Sequence, residues 1–163
     1  MFKNFLQKFA ADGGGTKIIA PAAGRVFALR ESADPAHQQE ALGKGVCIMP
    51  AGGKIFSPLD GVVEMLFDTK HAITIKSSNG VEVLVHCGID TVKLGGKGFT
   101  PHVREGGEVK AGQLLLEYDK DIITSAGYSL ETQVVVTNTA DFRAVTQVKT
   151  GNCDAGDVIL NVK

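Results

Sequence analysis

The sequence predicts an all-β protein: an antiparallel β-sandwich with internally duplicated halves and short helical turns. One observation is that 20 glycines are spread through the 163 residues. Runs of four to seven apolar and β-branched residues lie between them, as expected for short strands joined by turns. Another is that two segments of the chain recur. This length suits one domain with its own core and is too short for two ordinary domains.

The clearest predicted strands are, in chain order, GVCIM, GVVEMLF, HAITIK, VEVLV, QLLLEY and TQVVVT. Helical spacing of apolar residues is convincing only at the N-terminus. Short helical turns are also predicted at residues 121–125 and 141–145. Because strands dominate and turns separate them, the pattern favours antiparallel pairing.

The recurrence supports a duplicated fold. IIAPAAGRVFAL (residues 18–29) returns as KIFSPLDGVVEML (residues 54–66), each with a Pro three residues before a Gly. The fixed φ of Pro and the permissive φ of Gly both suit a corner between strands. A second pair, VREGGEVKAGQLLLE and VKTGNCDAGDVILN, follows. Turn chemistry that simply recurs in β proteins is the alternative, but two matched pairs favour a duplicated unit.

The first 15 residues are predicted to be a flexible segment ahead of a single domain at 16–163. Within residues 1–10, apolar side chains recur at helical spacing before three consecutive glycines; they are Phe2, Phe5, Leu6 and Phe9. A segment this short is marginal as a helix in water, so a disordered tail is the alternative. An amphipathic helix that forms in weak contact with a membrane surface is the expectation.

Composition excludes several classes. With 17 Lys and Arg against 18 Asp and Glu, the chain lacks the basic patch expected of a nucleic-acid-binding protein. Its three cysteines show neither a disulfide framework nor a zinc-ligand spacing. No apolar run approaches the roughly 20 residues needed to cross a bilayer, and no secretory signal begins the chain. A cytoplasmic protein, peripheral to the membrane at most, is therefore expected.

Two histidines occupy one predicted hairpin, HAITIKSSNGVEVLVH, which turns near Asn79-Gly80. If residues 77–80 form a four-residue loop, His71 lies directly opposite His86. If only Asn79-Gly80 turn, Ile73 lies opposite His86 and His71 becomes a diagonal neighbour. Both registers place the two imidazoles on one face, where they converge on a single group. A one-residue bulge would separate them.

The same count places Ile73, Ile75 and Leu84 on the histidine face, so both imidazoles are expected to be largely neutral near pH 7. A neutral imidazole has one nitrogen whose lone pair can attack phosphorus or bind a metal. The other nitrogen is held by a hydrogen bond. Thr69 is the expected partner of His71.

The stretch TKHAITIKSSNGVEVLVHCGIDTVKLGGKGF, together with GKIFSPLDGVVEML and GKGVCIMP, resembles one family. It is the glucose-type enzyme IIA component of the bacterial phosphoenolpyruvate-dependent sugar phosphotransferase system. The resemblance extends from about residue 18 to residue 162. It implies an antiparallel β-sandwich with duplicated halves and a phosphotransferase component with a phosphohistidine intermediate. Its partners would be a histidine-containing phosphocarrier protein and the enzyme IIB domain of a sugar permease, whose cysteine receives the phosphoryl group.

The resemblance also implies residue roles. His86 would be the phosphoryl acceptor, through Nε2, and His71 would steady the phosphoryl group. Thr69 and Gly88 match positions that orient the two rings, with backbone carbonyls around Gly88 serving His86. Asp90 matches an acidic residue beside the docking surface.

Four apolar residues are candidates for a rim that excludes water from the phosphohistidine: Leu84, Phe67, Val46 and Ile48. Core packing explains the last two equally well. The segment DPAHQQEAL departs from the family pattern, because Ala36 and His37 stand where similar proteins carry larger apolar residues. No cofactor is required, although the resemblance allows a zinc ion at a partner interface, bound by His71 and His86.

Two alternatives come from other function classes. A biotinyl-like carrier module is suggested by VKAGQLLLEYDKD, where Lys120 lies three residues after Glu117. However, Asp119 and Asp121 replace the methionines that flank the modified lysine. A zinc-binding hydrolase using the histidine pair would lack both an HExxH motif and an evident third ligand.

Overall fold

The computed structural model describes residues 15–163, and strands dominate this part of the chain. The strands are β1 (Thr16–Ile19), β2 (Gly24–Ala28), β3 (Lys44–Pro50), β4 (Lys54–Phe56), β5 (Gly61–Leu66), β6 (Ala72–Lys76), β7 (Glu82–Cys87), β8 (Phe99–Pro101), β9 (Glu108–Val109), β10 (Leu114–Tyr118), β11 (Thr132–Val136), β12 (Val145–Gln147), β13 (Gly151–Cys153) and β14 (Val158–Val162). The helix expected within residues 1–10 lies outside the described residues.

Helical structure is short. The helices are α1 (Pro35–Gln38), α2 (Lys120–Ser125) and the 3-10 turns Leu29–Glu31, Thr91–Leu94 and Thr139–Asp141. Helix α2 confirms the turn predicted at 121–125, and the Asp119 side chain caps it by accepting from the backbone N–H groups of Asp121 and Ile122. The turn predicted at 141–145 is wrong. The 3-10 turn there ends at Asp141, and Val145 already begins β12, which pairs with β14.

The fold prediction of an antiparallel β-sandwich is confirmed. An eight-stranded sheet runs in the order β13-β2-β3-β11-β7-β6-β5-β9, and two three-stranded sheets run β1-β14-β12 and β4-β10-β8. Neighbouring strands pair antiparallel throughout the described residues.

The duplication is visible in the strand pairing. Strand β1 pairs with β14 as β4 pairs with β10, and β2 pairs with β13 as β5 pairs with β9. These are the strands formed by the recurring segments. The order of the large sheet is consequently symmetric about the contact between β11 and β7. The two halves of the molecule meet at the strand that carries His86.

The main core packs against one face of β7, and this fixes the direction in which His86 points. Val83, Val85 and Cys87 belong to the main buried cluster, as do Ile73 and Ile75 of β6. Each fully buried apolar side chain of this size contributes about 1.5–3 kcal/mol to folding. Because side chains alternate along a strand, His86 and Leu84 point to the opposite face. The expectation that Ile73 and Ile75 share the histidine face is therefore wrong.

Candidate active site

The hairpin between β6 and β7 has neither of the two registers expected from the sequence. Ala72 lies opposite His86, and Ser77 pairs with Val81 through the bond from Ser77 N–H to the Val81 carbonyl, 2.9 Å. The loop therefore has three residues, and its last residue, Gly80, has a φ of 89°. Such loops combine a type I turn with a left-handed glycine, an odd-length solution that the Asn-Gly signal does not exclude.

An odd register would turn His71 away from His86 if both residues lay in regular strands. His71 escapes this constraint because β6 begins only at Ala72. The preceding residue, Lys70, has a φ of 60°, so the chain bends sharply before the strand. The two imidazole rings consequently lie 4.9 Å apart, centroid to centroid, at 89° to each other. The sequence predicted this proximity, but through the wrong register.

His71 is buried between Phe67, Thr69 and His86. Its side chain is buried, and the ring of Phe67 lies edge-on with its centroid 5.6 Å away. Thr69 Oγ1 is 2.7 Å from His71 Nδ1, within hydrogen-bond distance. Burial and, to a smaller extent, repulsion from His86 lower the pKa of His71 to about 4. A hydrogen bond with the Thr69 backbone raises the pKa but does not outweigh these two causes. His71 is therefore neutral at pH 7, as expected.

His86 is oriented by a residue that the sequence argument missed. Its Nδ1 lies 2.9 Å from Oε1 of Gln133, the residue directly opposite it on β11. Gln133 is completely buried, and its Nε2 donates to Glu131 twice: 2.7 Å to Oε2 and 3.2 Å to the backbone carbonyl. The available signal was a glutamine inside the apolar run TQVVVT, two residues after a glutamate.

Gly88 does not have the expected role, because the acceptor that His86 Nδ1 meets is Oε1 of Gln133 and not a backbone carbonyl near Gly88. The Gly88 N–H donates to the Glu131 carbonyl at 3.0 Å, and its φ is 90°. A Cβ there would lie 2.4 Å from Cγ2 of Thr91. Glycine is thus needed for the chain to turn sharply after β7.

A buried carboxylate lies behind Gln133. Glu131 accepts hydrogen bonds from Ser32 Oγ and from the Ala33 N–H, the latter at 3.1 Å, in addition to the bond from Gln133. The Cys47 thiol is 3.9 Å from Oε2. Burial raises the pKa of Cys47 to about 12, and the Glu131 charge contributes, so this thiol stays protonated.

A third imidazole, that of His37, flanks His86. Its ring centroid lies 5.3 Å from that of His86, with the planes at 54°. Helix α1 places it there, with Asp34 as the N-cap and Asp34 Oδ2 4.0 Å from His37 Nε2. His37 Nδ1 is buried without a hydrogen-bond partner among the described residues. Burial first, and then the neighbouring His86, lowers the pKa of His37.

The remaining predicted site residues differ in their burial and in their position relative to the histidines. Leu84 is buried two residues before His86 on the same face, whereas Asp90 is exposed and has a φ of 61°. Val46 and Ile48 are fully buried in the main core cluster, so they pack the core and form no rim. Val92, two residues after Asp90, is an exposed apolar side chain in the segment that follows β7.

The donor set for a metal ion is small. Nδ1 of each ring is hydrogen-bonded, to Thr69 in His71 and to Gln133 in His86. The Nε2 atoms of these two rings are therefore the nitrogens left as possible metal ligands. Within residues 15–163 no group of three or more His, Cys, Asp or Glu side chains is placed to hold an ion. A zinc ion at this pair would therefore need further ligands from a partner protein or water.

Comparison with known proteins identifies the family. The family model described as phosphoenolpyruvate-dependent sugar phosphotransferase system, EIIA 1, matches residues 16–142. The glucose-specific EIIA component of Oceanobacillus iheyensis is 38% identical over 157 residues, covering 96% of this chain and 95% of that protein. This chain belongs to the EIIA 1 family. It is accordingly a phosphotransferase component, a phosphoryl carrier of sugar transport.

Other members of the family extend the comparison. Glucose permease IIA from Mycoplasma capricolum superposes with a TM-score of 0.85 at 33% identity, over 91% of this chain and 96% of that one. The beta-glucoside-specific EIIBCA component of Dickeya chrysanthemi is 48% identical over 153 residues. The matched region covers 92% of this chain but only 24% of that protein. Among the described residues, no helix is long and apolar enough to span a bilayer.

Proposed function

We propose that His86 accepts a phosphoryl group on Nε2 from the phosphohistidine of a phosphocarrier protein. It then passes the group to a cysteine of the enzyme IIB part of a sugar permease. The observation that carries the proposal is the hydrogen bond between His86 Nδ1 and Gln133, which leaves the Nε2 lone pair free beside the neutral ring of His71.

The two steps balance without further reactants. In the first step the Nε2 lone pair forms a new N–P bond while the N–P bond of the phosphocarrier breaks, and the departing imidazole keeps that electron pair. In the second step the cysteine thiolate attacks phosphorus, and the electron pair of the broken N–P bond returns to Nε2. Such transfers need mainly positioning and stabilisation of the phosphoryl oxygens, so the proposed mechanism requires no metal ion.

The neighbouring residues have separate roles in this proposal. His71, held by Thr69, donates a hydrogen bond to the phosphoryl group and steadies it. Leu84 and Phe67 restrict water at the phosphohistidine and so lengthen its life. Asp90, exposed at the end of the hairpin, contributes to docking of the phosphocarrier.

The partners rest on two different supports. Relatives in which the matched region is part of a longer EIIBCA or EIICBA component support an enzyme IIB partner. The phosphocarrier protein is supported by the family resemblance alone. We place the exchange at the cytoplasmic face of the permease, where residues 1–10 would add weak membrane contact. Co-sedimentation with anionic vesicles, comparing the intact chain with one that starts at Thr16, tests that contact.

The test is phosphorylation with phosphoenolpyruvate, enzyme I and the phosphocarrier protein, followed by mass spectrometry for one acid-labile phosphate. We expect His86→Ala to lose phosphoryl acceptance completely. His71→Ala should still be labelled but should pass the group on poorly, because it lacks the stabilising ring. His102→Ala is the matched control, since His102 is partly exposed and pairs with Glu117 at 3.4 Å. The assignment would be contradicted if His86→Ala were still labelled, or if His71→Ala alone lost the label.

A further inference from the structure

We propose that Gln133 and Glu131 are positioning residues that hold His86 as the tautomer protonated on Nδ1. They thereby make Nε2 the nucleophile and stabilise the charge that its phosphorylation creates. This proposal rests on the proposed role of His86 as phosphoryl acceptor. It assigns the direction of the hydrogen-bond chain Glu131–Gln133–His86.

The direction of the chain follows from the acceptors around Gln133. Its side-chain amide contacts the backbone carbonyl of Glu131 at 3.2 Å and carboxylate atom Oε2 at 2.7 Å. A carbonyl oxygen has no hydrogen to donate, so the amide must present its NH2 group to Glu131. Oε1 therefore faces His86 at 2.9 Å, and an oxygen at that position requires the ring to donate its Nδ1–H.

Glu131 is itself held in place. Ser32 Oγ and the Ala33 N–H donate to its carboxylate, so the carboxylate cannot turn away from Gln133 without losing these bonds. A buried hydrogen-bonding group that is left without a partner destabilises the folded protein. The chain of contacts from Ser32 to His86 is therefore fixed at both ends.

The duplication shows that packing alone does not require a polar side chain at position 133. The two halves meet at β7 and β11, where Val85 pairs with Val134. The next pair in one direction is His86 with Gln133, and the next pair in the other direction is Leu84 with Val135. The duplication relates these two pairs, so Leu84 is equivalent to Gln133 and Val135 is equivalent to His86. Leu84 thus fills in one half the place that Gln133 fills in the other. A buried amide is costly unless it is hydrogen-bonded, as Gln133 is, and a leucine would avoid this cost. We therefore infer that the hydrogen bonds of Gln133 serve a purpose other than packing.

That purpose is chemical. When the Nε2 lone pair forms the N–P bond, the ring keeps its Nδ1–H and gains positive charge. Gln133 Oε1 accepts from this N–H, and the carboxylate behind the amide stabilises the charge further. Hydrogen-bond partners that fix a histidine ring in this way raise the basicity of its other nitrogen, and in metal sites their loss costs about 10- to 100-fold in affinity or activity.

The first measurement uses the protein without phosphate. Long-range proton–nitrogen correlation spectra of nitrogen-15-labelled protein at pH 7 report which nitrogen of each histidine carries the proton. We expect His86 to be protonated on Nδ1 and unprotonated on Nε2. The opposite pattern, or a rapid mixture of both tautomers, would overturn the proposal whatever the variants do.

The second measurement uses Gln133→Met, which keeps the length of the side chain but removes the hydrogen bonds. We expect a mixture of His86 tautomers and about 10-fold or slower phosphoryl acceptance from the phosphocarrier. The His71 signals should stay unchanged, because Thr69 holds that ring. Gln147→Met is the matched control: Gln147 also bonds a backbone carbonyl, that of Lys149 at 2.9 Å, but lies on β12.

The outcomes separate the two proposals. A Gln133→Met protein with a single Nδ1–H tautomer and the normal rate would overturn the positioning role. If this variant fails to fold, the spectrum of the unaltered protein still decides the tautomer. If the unaltered protein shows the Nδ1–H tautomer but accepts no phosphate, the proposed function fails while the hydrogen-bond chain stands.

Discussion

At the scale of single residues, the site depends on imidazoles kept in different environments. Phe67 and the buried surroundings of His71 disfavour its charged form, whereas His86 is hydrogen-bonded and only partly buried. His37 is buried on the other side of His86. A neutral His71 next to the proposed acceptor avoids placing a second positive charge beside a ring that becomes positively charged when it is phosphorylated.

The buried neutral state of His71 predicts a pH dependence of stability. Its pKa is about 4 in the folded protein, against about 6.5 for an unperturbed histidine, so between these two pH values the unfolded chain binds more protons. The contribution of neutral His71 to the free energy of unfolding should therefore be complete above about pH 6.5 and should be lost as the pH falls towards 4. This loss should amount to up to about 3 kcal/mol. Urea titrations across this range, for the unaltered protein and His71→Gln, measure it. Parallel curves would contradict the prediction.

The unpartnered nitrogen of His37 predicts a stabilising substitution. His37→Phe replaces a buried polar atom that has no hydrogen-bond partner among residues 15–163 by an apolar ring of similar shape. We expect the free energy of unfolding to rise by about 1 kcal/mol, the lower end of the cost of an unsatisfied buried group. Chemical denaturation of this variant checks it, with His102→Phe as an exposed control. A loss of stability would mean that His37 makes a bond that matters.

At the scale of elements, the turn after β7 brings the strand end, Gly88 and the exposed Asp90 together. Two left-handed residues, Gly88 and Asp90, bend the chain within three positions. Thr91 then donates from Oγ1 to the carbonyl of Cys87 at 2.6 Å and closes the turn. The turn positions Asp90 outside the buried histidine pocket.

Crowding at this turn can be separated from backbone strain by two matched glycines. Gly88 and Gly80 have nearly the same φ, 90° and 89°, but a Cβ at Gly80 meets nothing within 4 Å. Gly80→Ala should cost about 1–2 kcal/mol, the strain of a left-handed residue. Gly88→Ala should cost clearly more, since its Cβ would also clash with Thr91 and with the Ser129 carbonyl. Equal losses of unfolding free energy would show that the turn relaxes.

At the scale of the whole molecule, the duplication places the site where the halves meet. The eight-stranded sheet is continuous across β11 and β7, so the centre of symmetry lies in the middle of this sheet. The halves differ at this point, because His86 and Gln133 correspond to Val135 and Leu84. One copy thus has two apolar residues at this point, while the other has the proposed phosphoryl acceptor and its hydrogen-bond partner.

Docking of a partner protein predicts a role for Asp90 that is separate from folding. Asp90→Ala should slow phosphoryl transfer from the phosphocarrier, most strongly at low salt, while leaving unfolding free energy within about 0.5 kcal/mol. Rates measured over a range of salt concentration test this. Asp154→Ala is the control, an exposed aspartate after the edge strand β13. An unchanged rate at every salt concentration would remove the electrostatic role.

The strand-rich fold, the duplication and the proximity of His71 and His86 could be predicted from the sequence alone. These features follow from local patterns, namely turn residues, short apolar runs and a recurring Pro and Gly. Even so, the hairpin register was wrong, because an Asn-Gly turn can close with an even or an odd loop.

The surroundings of the proposed acceptor, His86, became visible only in the folded structure. Gln133 lies 47 residues from His86 in the chain, and Ser32 lies 99 residues from Glu131. The contact between Gln133 and His86 depends on β11 pairing with β7. The contact between Ser32 and Glu131 depends on the 3-10 turn Leu29–Glu31 and helix α1, which fold over the sheet. Hydrogen bonds between distant segments leave no periodic signal in the chain, so a buried glutamine in a strand could be noticed but not assigned.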